Sequence, residues 1–383
     1  MKLTSMQREA IEKCVAWYFD HDKERKYFII HGKAGVGKTF IVQTLVQVLG
    51  LASYNTLFCA YSGKAVSVLR KRGNFANTVH KTFYHTYRRS DGEAAFNKKK
   101  GLPNVIKLIC IDEYGMLNNQ MVNDILEVAG SIPVVMLGDD NQLPPLYGGN
   151  DYMENPDVVL TEIMRQNEKS GILTLADMAI EEKPFLIGKY GDSKVVRWDD
   201  IDPIESYDAV LCWKNSTREA LNRLIRKKLG ITHTFPTKGE KILCLNNSYS
   251  HELVYDGLNL FIVNGLGCIA TTDALSFDDE RGTFEIKFKP DFIPSNNYFF
   301  HARCNQKIFT NYLRKTPDSE GPHDPGILDI DFGYALTVHK SQGSEWGKIL
   351  VIASDYGGSK ADYKRWLYTA ITRARLSVTI TNL

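Results

Sequence analysis

The feature that most constrains this chain is the stretch between Tyr27 and Gln47, where an apolar segment, a glycine-rich loop and a second apolar segment follow one another. The loop, residues 32–39, matches the pattern G-x-x-x-x-G-K-[ST], whose backbone N–H groups surround the phosphates of a nucleoside triphosphate at a helix N-terminus. This order predicts a strand, a phosphate-binding loop and a helix of an α/β fold. The alternative is a glycine-rich turn that binds nothing, and the strand and helix patterns on either side count against it.

The residue types of this loop suit phosphate binding. Its glycines permit positive φ angles and a close approach of the backbone to the ligand. Lys38 is expected beside the β- and γ-phosphates, and the hydroxyl of Thr39 is expected to hold Mg²⁺. The predicted nucleotide-binding residues of the loop are Gly32, Lys33, Ala34, Gly35, Val36, Gly37, Lys38 and Thr39.

Length and composition indicate a globular protein of more than one domain. The chain has 383 residues, 43% of them apolar, and this length predicts two to three domains. No apolar run reaches the roughly 18 residues that span a bilayer, and charged residues stand where a signal peptide would be apolar. We therefore expect a cytoplasmic protein without a membrane partner. A net charge of +2 excludes no ligand class, so a polyanion would have to bind in a local basic groove.

The cysteines predict neither a metal site nor a disulfide framework. The seven cysteines are scattered along the chain, and no two of them form a C-x-x-C pair. They are expected to be reduced thiols of the core.

Two adjacent carboxylates follow a buried strand that the sequence predicts over residues 105–111. At the end of a strand downstream of a phosphate loop, Asp112 is expected to coordinate Mg²⁺ and Glu113 to polarise the attacking water. The alternative is an ordinary loop start. Gln142 leaves the end of the next predicted strand, at the edge where ligands of α/β folds bind, and is expected to contact the γ-phosphate.

Two segments of the first half have the composition of nucleic-acid contacts. Ser62 and Lys64 open a helix directly after a predicted strand, which indicates a second anion site, here for a nucleic-acid phosphate. Residues 84–104 combine basic and aromatic side chains and predict a surface hairpin. That hairpin either contacts a polynucleotide or is simply solvated.

The region between about 232 and 325 differs from the rest of the chain. Its segments alternate apolar and polar residues, as in 283–288, and predict short antiparallel strands. Asn264-Gly265 predicts a hairpin turn, and the prolines and glycines of 315–326 predict a linker back to the preceding fold.

The motifs in this order and spacing resemble motifs I, II and III of superfamily 1 helicases, specifically the RecD/Dda-like branch (superfamily 1B) found in bacteria and phages. They are the glycine loop, DEYGM at 112–116 and GDDNQLPPLYGG at 138–149. LTSMQREA is similar to the Q motif of that family, which implies that Gln7 reads the adenine. Two features depart from the family: Tyr114-Gly115 stands where small residues are common, and the 84–104 insertion, where the family has its strand-separating pin, is short.

The resemblance also implies contacts with single-stranded DNA. YSGKAVSVL is similar to motif Ia, NTVHKTF to the motif after it, and TVHKSQG to the T-x-H-K-[SA]-Q-G motif. The segment that contains Asn215, Arg218 and Asn222 is similar to the opening of a second motor domain, where these residues bind DNA or brace the cleft. The residues implied to bind DNA are Ser62, Lys64, Thr78, His80, Asn215, Thr337, His339 and Lys340.

The second half of the chain is implied to complete the nucleotide site. LTEIMRQ resembles the motif whose arginine, here Arg165, reaches the γ-phosphate. LYTAITRAR resembles motif VI, in which Arg373 matches the arginine finger. Gln342 and Gly343 face the nucleotide in the family's scheme.

The resemblance implies an α/β fold with two RecA-like P-loop NTPase motor domains. The first covers residues 1–150 and contains the hairpin insertion 84–104. The second covers 151–231 and 326–383 and contains a β-rich insertion at 232–325, for which the family implies a small SH3-like β-barrel. The nucleotide would lie in the cleft between the two motors.

The implied function is that of a monomeric DNA helicase that uses ATP and Mg²⁺, moves 5′→3′ on single-stranded DNA and opens forked duplexes in replication, recombination or repair. A single-stranded-DNA-binding protein and replisome components are candidate partners, in the cytoplasm of the host if a phage encodes the chain. Two alternatives stay open. One is a translocase that displaces proteins or acts on RNA with little unwinding. The other is a nucleotide-dependent binding or loading module, whose ATP hydrolysis would be slow and unaffected by single strands.

Overall fold

The computed structural model describes residues 3–20, 24–88, 94–145, 148–162, 170–310 and 326–381. These residues form two parallel β-sheets with helices, one antiparallel sheet and two separate hairpins. No helix among them is long and apolar enough to cross a membrane.

The first parallel sheet is built from the N-terminal part of the chain. The strands of this part are β1 (Tyr27–Gly32), β2 (Thr56–Ala60), β3 (Ala76–Thr78), β4 (Tyr84–Arg88), β5 (Ala94–Lys98), β6 (Leu108–Asp112), β7 (Val134–Gly138) and β8 (Val158–Leu160). Six of them lie in the order β3-β2-β6-β7-β1-β8, and all neighbours are parallel. Continuous apolar runs suit strands that are covered on both faces, and β2 and β7 are buried throughout.

Helices connect these strands, and β4 and β5 form an antiparallel hairpin outside the sheet. The helices are α1 (Ser5–Phe19), α2 (Lys38–Val48), α3 (Gly63–Lys71), α4 (Val79–Phe83) and α5 (Asn119–Ala129). α1 begins with a reciprocal cap: Thr4 Oγ1 accepts from Gln7 N–H (3.3 Å), and Gln7 Oε1 accepts from Thr4 N–H (3.1 Å).

The strand that precedes the two carboxylates is shorter than the sequence predicts. β6 begins at Leu108, whereas the prediction starts at Val105. Ile106 N–H donates to Pro103 O (3.0 Å) in a turn, and Val105 is 46% exposed. The first residues of the predicted strand are therefore wrong: the turn after Pro103 leaves Val105 exposed, and the side chain of Ile106 is buried without belonging to a strand.

The second parallel sheet combines the middle of the chain with its C-terminal part. Its strands are β9 (Gly188–Tyr190), β10 (Ser193–Val196), β11 (Ala209–Cys212), β21 (Ala335–Thr337), β22 (Trp346–Ile352) and β23 (Ala374–Thr381). They lie in the order β21-β11-β22-β23-β10-β9, and only the β9–β10 pair is antiparallel. The helices of this part are α6 (Gly171–Ile180), α7 (Asn215–Lys228), α9 (Val338–Ser341) and α10 (Lys360–Ile371).

The residues between β11 and β21 form the antiparallel sheet and a second hairpin. Their elements are β12 (Lys241–Cys244), β13 (Ser248–Tyr255), β14 (Leu258–Ile262), β15 (Gly267–Ala270), β16 (Leu275–Asp278), β17 (Thr283–Pro290), β18 (Phe300–Asn305), α8 (Lys307–Thr310), β19 (Ile327–Leu328) and β20 (Ile330–Phe332). The sheet has the order β19-β18-β17-β15-β12-β20, and β16 pairs with β17. Its pairs are antiparallel except β18–β19, which is parallel. β13 and β14 pair only with each other, through a turn at residues 256–257.

Two predicted domain limits do not coincide with these sheets. β8 pairs with β1 in the first sheet, although it follows the predicted limit at residue 150. β20 pairs with β12 in the antiparallel sheet, although it follows the limit at residue 325. Both strands are short and add to the edge of a sheet, so their pairing depends on a distant partner and not on a local pattern.

The predicted hairpin turn at Asn264-Gly265 is wrong. β14 pairs with β13, whereas β15 pairs with β12 and β17, so this dipeptide connects two different sheets. Gly265 has a φ of +86°, and a Cβ there would lie 3.5 Å from Lys340 O. The glycine thus permits a positive φ beside the backbone of Lys340 and does not form a hairpin turn.

The seven cysteines are buried free thiols, as their spacing predicts. Burial raises the pKa of Cys59 to about 12, which keeps the thiol protonated at neutral pH.

A buried ion pair joins α7 to the start of the antiparallel sheet. Arg226 donates to both oxygens of Glu240, from Nε to Oε1 (2.7 Å) and from Nη2 to Oε2 (3.2 Å). Glu240 Oε2 also accepts from Thr237 N–H (2.8 Å), and the guanidinium lies 3.8 Å from the ring centre of Phe332. These contacts compensate for the hydration that both charged groups lose on burial.

We expect Glu240→Ala to lower the free energy of unfolding by about 3–5 kcal/mol, because Arg226 would remain buried without its counter-charge. Urea denaturation measures the loss. Glu9→Ala is the matched control: it removes an exposed pair, with Lys13 and Glu9 side chains 55% and 62% exposed, and should cost less than about 1 kcal/mol. Equal losses in the two variants would contradict the stabilising role of the buried pair.

Candidate active site

The candidate active site lies where three strands of the first parallel sheet end. β1 runs into the glycine loop, β6 into Asp112 and Glu113, and β7 into residues 139–142. The carboxyl ends of parallel strands share one edge of the sheet, where ligands of α/β folds bind. A cavity of about 1840 Å³ opens at this edge, lined by the loop and both carboxylates and, from the second half, by Lys340 and Arg373.

The glycine loop has the backbone shape that its glycines permit. Gly35 and Gly37 have φ angles of +88° and +83°, and α2 begins at Lys38. A Cβ at Gly32 would lie 2.7 Å from a side-chain carbon of the same loop, so this position requires glycine. Lys38 Nζ donates to the backbone oxygen of Gly32, which places the ammonium group inside the loop.

Thr39 and Asp112 provide adjacent oxygen atoms for the predicted cation. Thr39 Oγ1 donates to Asp112 Oδ2 at 3.5 Å. Burial raises the pKa of Asp112, and the charge of Lys38 opposes this shift. A hydroxyl and a carboxylate are hard oxygen ligands of the kind that Mg²⁺ prefers. The donor set therefore fits Mg²⁺.

Glu113 lies at the wall of the cleft that faces the second half of the chain. Its φ of +52° is uncommon for a residue other than glycine. A Cβ at Gly343 would lie 3.5 Å from Glu113 Oε2 and 3.0 Å from Ser62 Oγ. Burial raises the pKa of Glu113, and the charge of Arg373 is the largest effect that opposes the shift. The nearby cations thus favour the ionised carboxylate, against the effect of burial.

One hydrogen-bonded chain connects the glycine loop with α10. Tyr368 OH accepts from Ala34 N–H (2.8 Å) and donates to Asp139 Oδ2 (2.7 Å). The same carboxylate oxygen accepts from Gln142 Nε2 (3.3 Å). The bond between Tyr368 and Asp139 is buried, and the bonds from Ala34 and Gln142 are partly buried. A loop amide, the predicted γ-phosphate contact Gln142 and the second sheet therefore belong to one network.

Sequence reasoning missed Tyr368 and Asp139. A tyrosine among apolar residues of a helix has the pattern of a core residue, and an aspartate after a strand has the pattern of a loop start. Tyr368 is 334 positions from its partner Ala34 and 229 from Asp139. No local pattern shows a contact over that separation.

Further bonds join the same two parts of the chain. Gln342 Nε2 donates to Leu143 O (2.9 Å), and Leu143 N–H donates to Thr369 Oγ1 (2.9 Å). Lys33 Nζ lies 2.7 Å from Asp177 Oδ1 of α6. The structure therefore brings Gln342 to the loop that follows Gln142, at the cleft, and a separate ion pair joins the glycine loop to α6.

Arg373 lies in the cleft and is only 3% exposed. Its Nε donates to Thr369 O (3.1 Å), and its Nη1 donates to Ser344 O (3.5 Å). These backbone oxygens are neutral, so the positive charge remains available to an anion in the cleft. Arg165 lies outside the described residues, and its role stays a prediction.

Gln7 is placed beside the glycine loop and is 1% exposed. Its Nε2 donates to Val36 O (3.0 Å), and its Oε1 accepts from Thr4 N–H (3.1 Å). Both ends of the amide are thus bonded within the protein. To bind an adenine, as the resemblance implies, the Gln7 amide would have to break these bonds and form new ones with the base.

Three residues implied to bind DNA in the first half have partners within the protein. Ser62 caps α3, and Thr78 caps α4, each by accepting a backbone N–H bond at 3.2 Å. Lys64 Nζ lies 3.0 Å from Asp291 Oδ2 and 5.0 Å from the ring centre of Trp346. These three residues therefore help to position the wall of the cleft.

His80 packs in an aromatic cluster at the base of the β4–β5 hairpin. Its ring centre lies 5.6 Å from that of Tyr61, 5.9 Å from that of Tyr84 and 5.2 Å from that of Phe96. Burial lowers the pKa of His80 to about 4, so the ring is neutral at neutral pH. Its contact with a strand would be apolar or a neutral hydrogen bond, not an ion pair.

The predicted contacts of the second half lie where β11 and β21 end. Asn215 is exposed at the start of α7, and Thr337 is 7% exposed at the start of α9. The ring of His339 lies 5.3 Å from that of Trp213, and burial lowers the pKa of His339. Asn222, for which two roles are open, braces the fold: its Nδ2 donates to Phe332 O (2.8 Å).

Lys340 differs from a surface lysine in its ionisation. Burial and the like charge of Arg218 lower the pKa of Lys340 to about 8, and Asp331 opposes the shift. Arg218 is 3% exposed, with its Nη2 at 3.0 Å from Asp331 Oδ2. Lys340 therefore changes its charge close to physiological pH.

Two family models match the chain. One, described as an AAA domain, matches residues 2–200, and the other, described as a UvrD-like helicase C-terminal domain, matches residues 332–381. The chain is 23% identical to the ATP-dependent RecD2 DNA helicase of Deinococcus radiodurans, in a match that covers 96% of this chain and 48% of that protein. The chain thus spans about half the length of this relative.

Two solved structures share the fold. One is Bacteroides Pif1 bound to single-stranded DNA, with a TM-score of 0.52, 17% identity and coverage of 99% of this chain and 92% of that one. The other shows two coordinating Pif1 helicases, in a study of unwinding at forked duplex DNA, with a TM-score of 0.52, 18% identity and the same coverage. At these identities the likeness shows an α/β fold with parallel sheets of the RecA-like helicase kind.

We expect the affinity for single-stranded DNA to fall as the pH rises from about 7 to about 9, because Lys340 loses its charge around its pKa of about 8 and a bound phosphate favours the charged form. Fluorescence anisotropy at constant ionic strength measures the fall. Lys340→Arg stays charged over this range and should remove it. A fall of equal size in Lys340→Arg would show that another group is responsible.

Proposed function

We propose that this chain, which belongs to the RecD/Pif1-like branch of superfamily 1B helicases, is an ATP-dependent DNA helicase. It is proposed to move 5′→3′ along single-stranded DNA and to separate duplex DNA. ATP is the proposed substrate, Mg²⁺ the proposed cofactor, and single strands and forked duplexes the proposed nucleic-acid ligands. The 5′→3′ direction rests on the family resemblance.

The observation that carries the proposal is the convergence of distant groups on one cleft. Lys38 lies in the glycine loop, Glu113 follows β6, and Arg373 approaches from the end of α10. Hydrolysis of a nucleoside triphosphate requires positive charge at the γ-phosphoryl group and a residue that orients the attacking water. A binding or loading module has no need of a buried arginine at this place.

Each group has a proposed role in hydrolysis. The amides of the loop and Lys38 bind the phosphates, and Thr39 and Asp112 hold Mg²⁺, which when bound neutralises phosphate charge. Glu113 orients the water in its ionised form. Burial raises its pKa, and the charges of Arg373 and Lys38 favour the ionised form.

The segment 337–343 is the proposed link between hydrolysis and movement. Gln342 is bonded to Leu143, and Gly343 lies against Glu113, so this segment follows changes at the nucleotide. Lys340, three residues before Gly343, is a proposed contact with the strand. Opening and closing of the cleft would move α9 and alternate the grip of the two halves on DNA.

We propose two RecA-like motor domains with limits adjusted to the sheets. The first extends to about residue 162, to include β8, and contains the β4–β5 hairpin as its short insertion. The second contains β9 to β11 and β21 to β23. Its insertion covers about 232–332, to include β20, and corresponds to the SH3-like domain of the family.

ATP hydrolysis with and without single-stranded DNA, followed by unwinding of duplexes with a 5′ or a 3′ tail, tests the proposal. We expect strong stimulation and separation of the 5′-tailed duplex alone. Lys38→Ala, as the inactive control, should lose both activities. Separation of the 3′-tailed duplex alone would contradict the direction. Stimulation without separation would indicate a translocase, and unstimulated hydrolysis a binding module.

We expect Arg373→Ala to slow ATP hydrolysis by roughly three orders of magnitude, because the transition state would lose its arginine finger. Steady-state kinetics should show the loss in kcat, with a small change in KM. Arg375→Ala is the matched control, since Arg375 lines the same cavity but is exposed, and it should keep most of the activity. A near-normal rate in Arg373→Ala would remove this residue from the site.

A further inference from the structure

Three cations gather where α3, α4 and the base of the β4–β5 hairpin meet. We call Arg70, Lys81 and Lys99 the cation cluster; each is half-buried. Arg70 Nε donates to Ala76 O (2.8 Å), and Lys99 Nζ donates to Lys81 O (2.7 Å). Within the part of the chain that the structure describes, none of the three forms an ion pair with a carboxylate. Their hydrogen-bond partners are neutral oxygen atoms.

The turn of the β13–β14 hairpin covers two members of this cluster, Arg70 and Lys81. Arg70 Nη1 donates to Asp256 O, and Lys81 Nζ donates to Gly257 O (3.0 Å). Lys81 Nζ also donates to Asn259 Oδ1 (3.0 Å). The contact joins the insertion of the second motor to the first motor, over a separation of 176 to 186 positions.

The neighbouring cations of the cluster repel one another. The charge of Arg70 contributes, after burial, to a lowered pKa of Lys81, and the charge of Lys81 contributes likewise to a lowered pKa of Lys99. The two acidic groups that act on the cluster, Asp256 on Arg70 and Glu252 on Lys81, both belong to the covering hairpin. When the hairpin leaves, Arg70 and Lys81 lose these acidic groups while Lys99 stays beside them, and an anion becomes the favoured ligand.

A phosphate group fits this arrangement better than the carbonyl oxygens of the turn do. Hydrogen bonds between a cation and an anionic oxygen are about twice as strong as those to a neutral oxygen. Arg70 is held in place by bonds from Nε to Ala76 O (2.8 Å) and from Nη2 to Asn77 Oδ1 (3.1 Å), so its Nη1, which the turn occupies, is the group that a phosphate would take over. Lys81 adds a point charge beside it. Lys81 is in α4, which Thr78 caps and His80 belongs to, so the cluster continues the surface implied to contact DNA.

We propose that the cation cluster binds a backbone phosphate of single-stranded nucleic acid, and that the turn at 256–257 occupies this site until the strand replaces it. The inference rests on the proposed function, which supplies the strand. The hairpin would then be a gate over the DNA path, opened by competition for the same N–H groups.

The salt dependence of binding to a fluorescent oligothymidine tests the site. For single strands the slope of log K against log[salt] changes by about 0.7 for each phosphate contact, so Lys81→Gln should reduce the slope by about 0.7 and weaken binding roughly three- to tenfold. Lys81→Arg keeps the charge and should restore the slope. Lys228→Gln, at the exposed end of α7, is the matched control and should leave the slope unchanged.

Asn259→Ala tests the gate separately, because it removes the acceptor that β14 offers to Lys81, next to the turn, and leaves the cations in place. Binding roughly two- to threefold tighter would support competition between turn and strand, and unchanged or weaker binding would overturn it. An unchanged slope in Lys81→Gln, with wild-type thermal stability, would overturn the phosphate site. A wild-type chain that binds no single strand would instead overturn the proposed function.

Discussion

The hydroxyl of Tyr368 is the contact on which the relation of the two parallel sheets most depends. It accepts from the loop amide of Ala34 and donates to the carboxylate of Asp139, and the second of these bonds is buried. A buried polar group left without a partner costs about 1–3 kcal/mol, so these bonds favour the observed contact between α10 and the first sheet. Under the proposed function, a nucleotide phosphate is the other partner of the loop amides. The amide that donates to Tyr368 would then couple nucleotide binding to the position of α10.

Burial sets the charge states along the cleft and the proposed DNA path. It raises the pKa of Glu113 and lowers the pKa of Lys340 to about 8. Burial also lowers the pKa of His80 to about 4, so this ring is neutral at neutral pH. A phosphate beside Lys340 would favour the charged ammonium group, whereas a cation beside Glu113 would favour the ionised carboxylate. Lys340 therefore responds electrostatically to a nearby phosphate, and Glu113 to the cations around it.

Local patterns predicted the parts of the site that one segment builds alone. The glycine loop, the carboxylates after β6 and the position of Gln142 follow from short apolar runs and their turn residues. The predictions were wrong where a distant partner decides the outcome. Val105 is apolar but exposed, and Asn264-Gly265 supplies a positive φ for a connection between two sheets instead of a hairpin. β8 and β20 join sheets across predicted domain limits, because strand pairing at an edge depends on the neighbouring strand.

The sequence by itself determined that the chain has a phosphate-binding loop, that carboxylates follow it at a strand end, and that its motifs resemble those of one helicase branch. These features are local, since a turn needs its glycines and a strand its apolar run within a few residues. Only the tertiary structure decided that Tyr368 closes the loop, that Gly343 faces Glu113, and that the turn at 256–257 covers Arg70 and Lys81. These contacts join residues far apart in the chain, and their partners become neighbours only when the packing of the sheets excludes water between them.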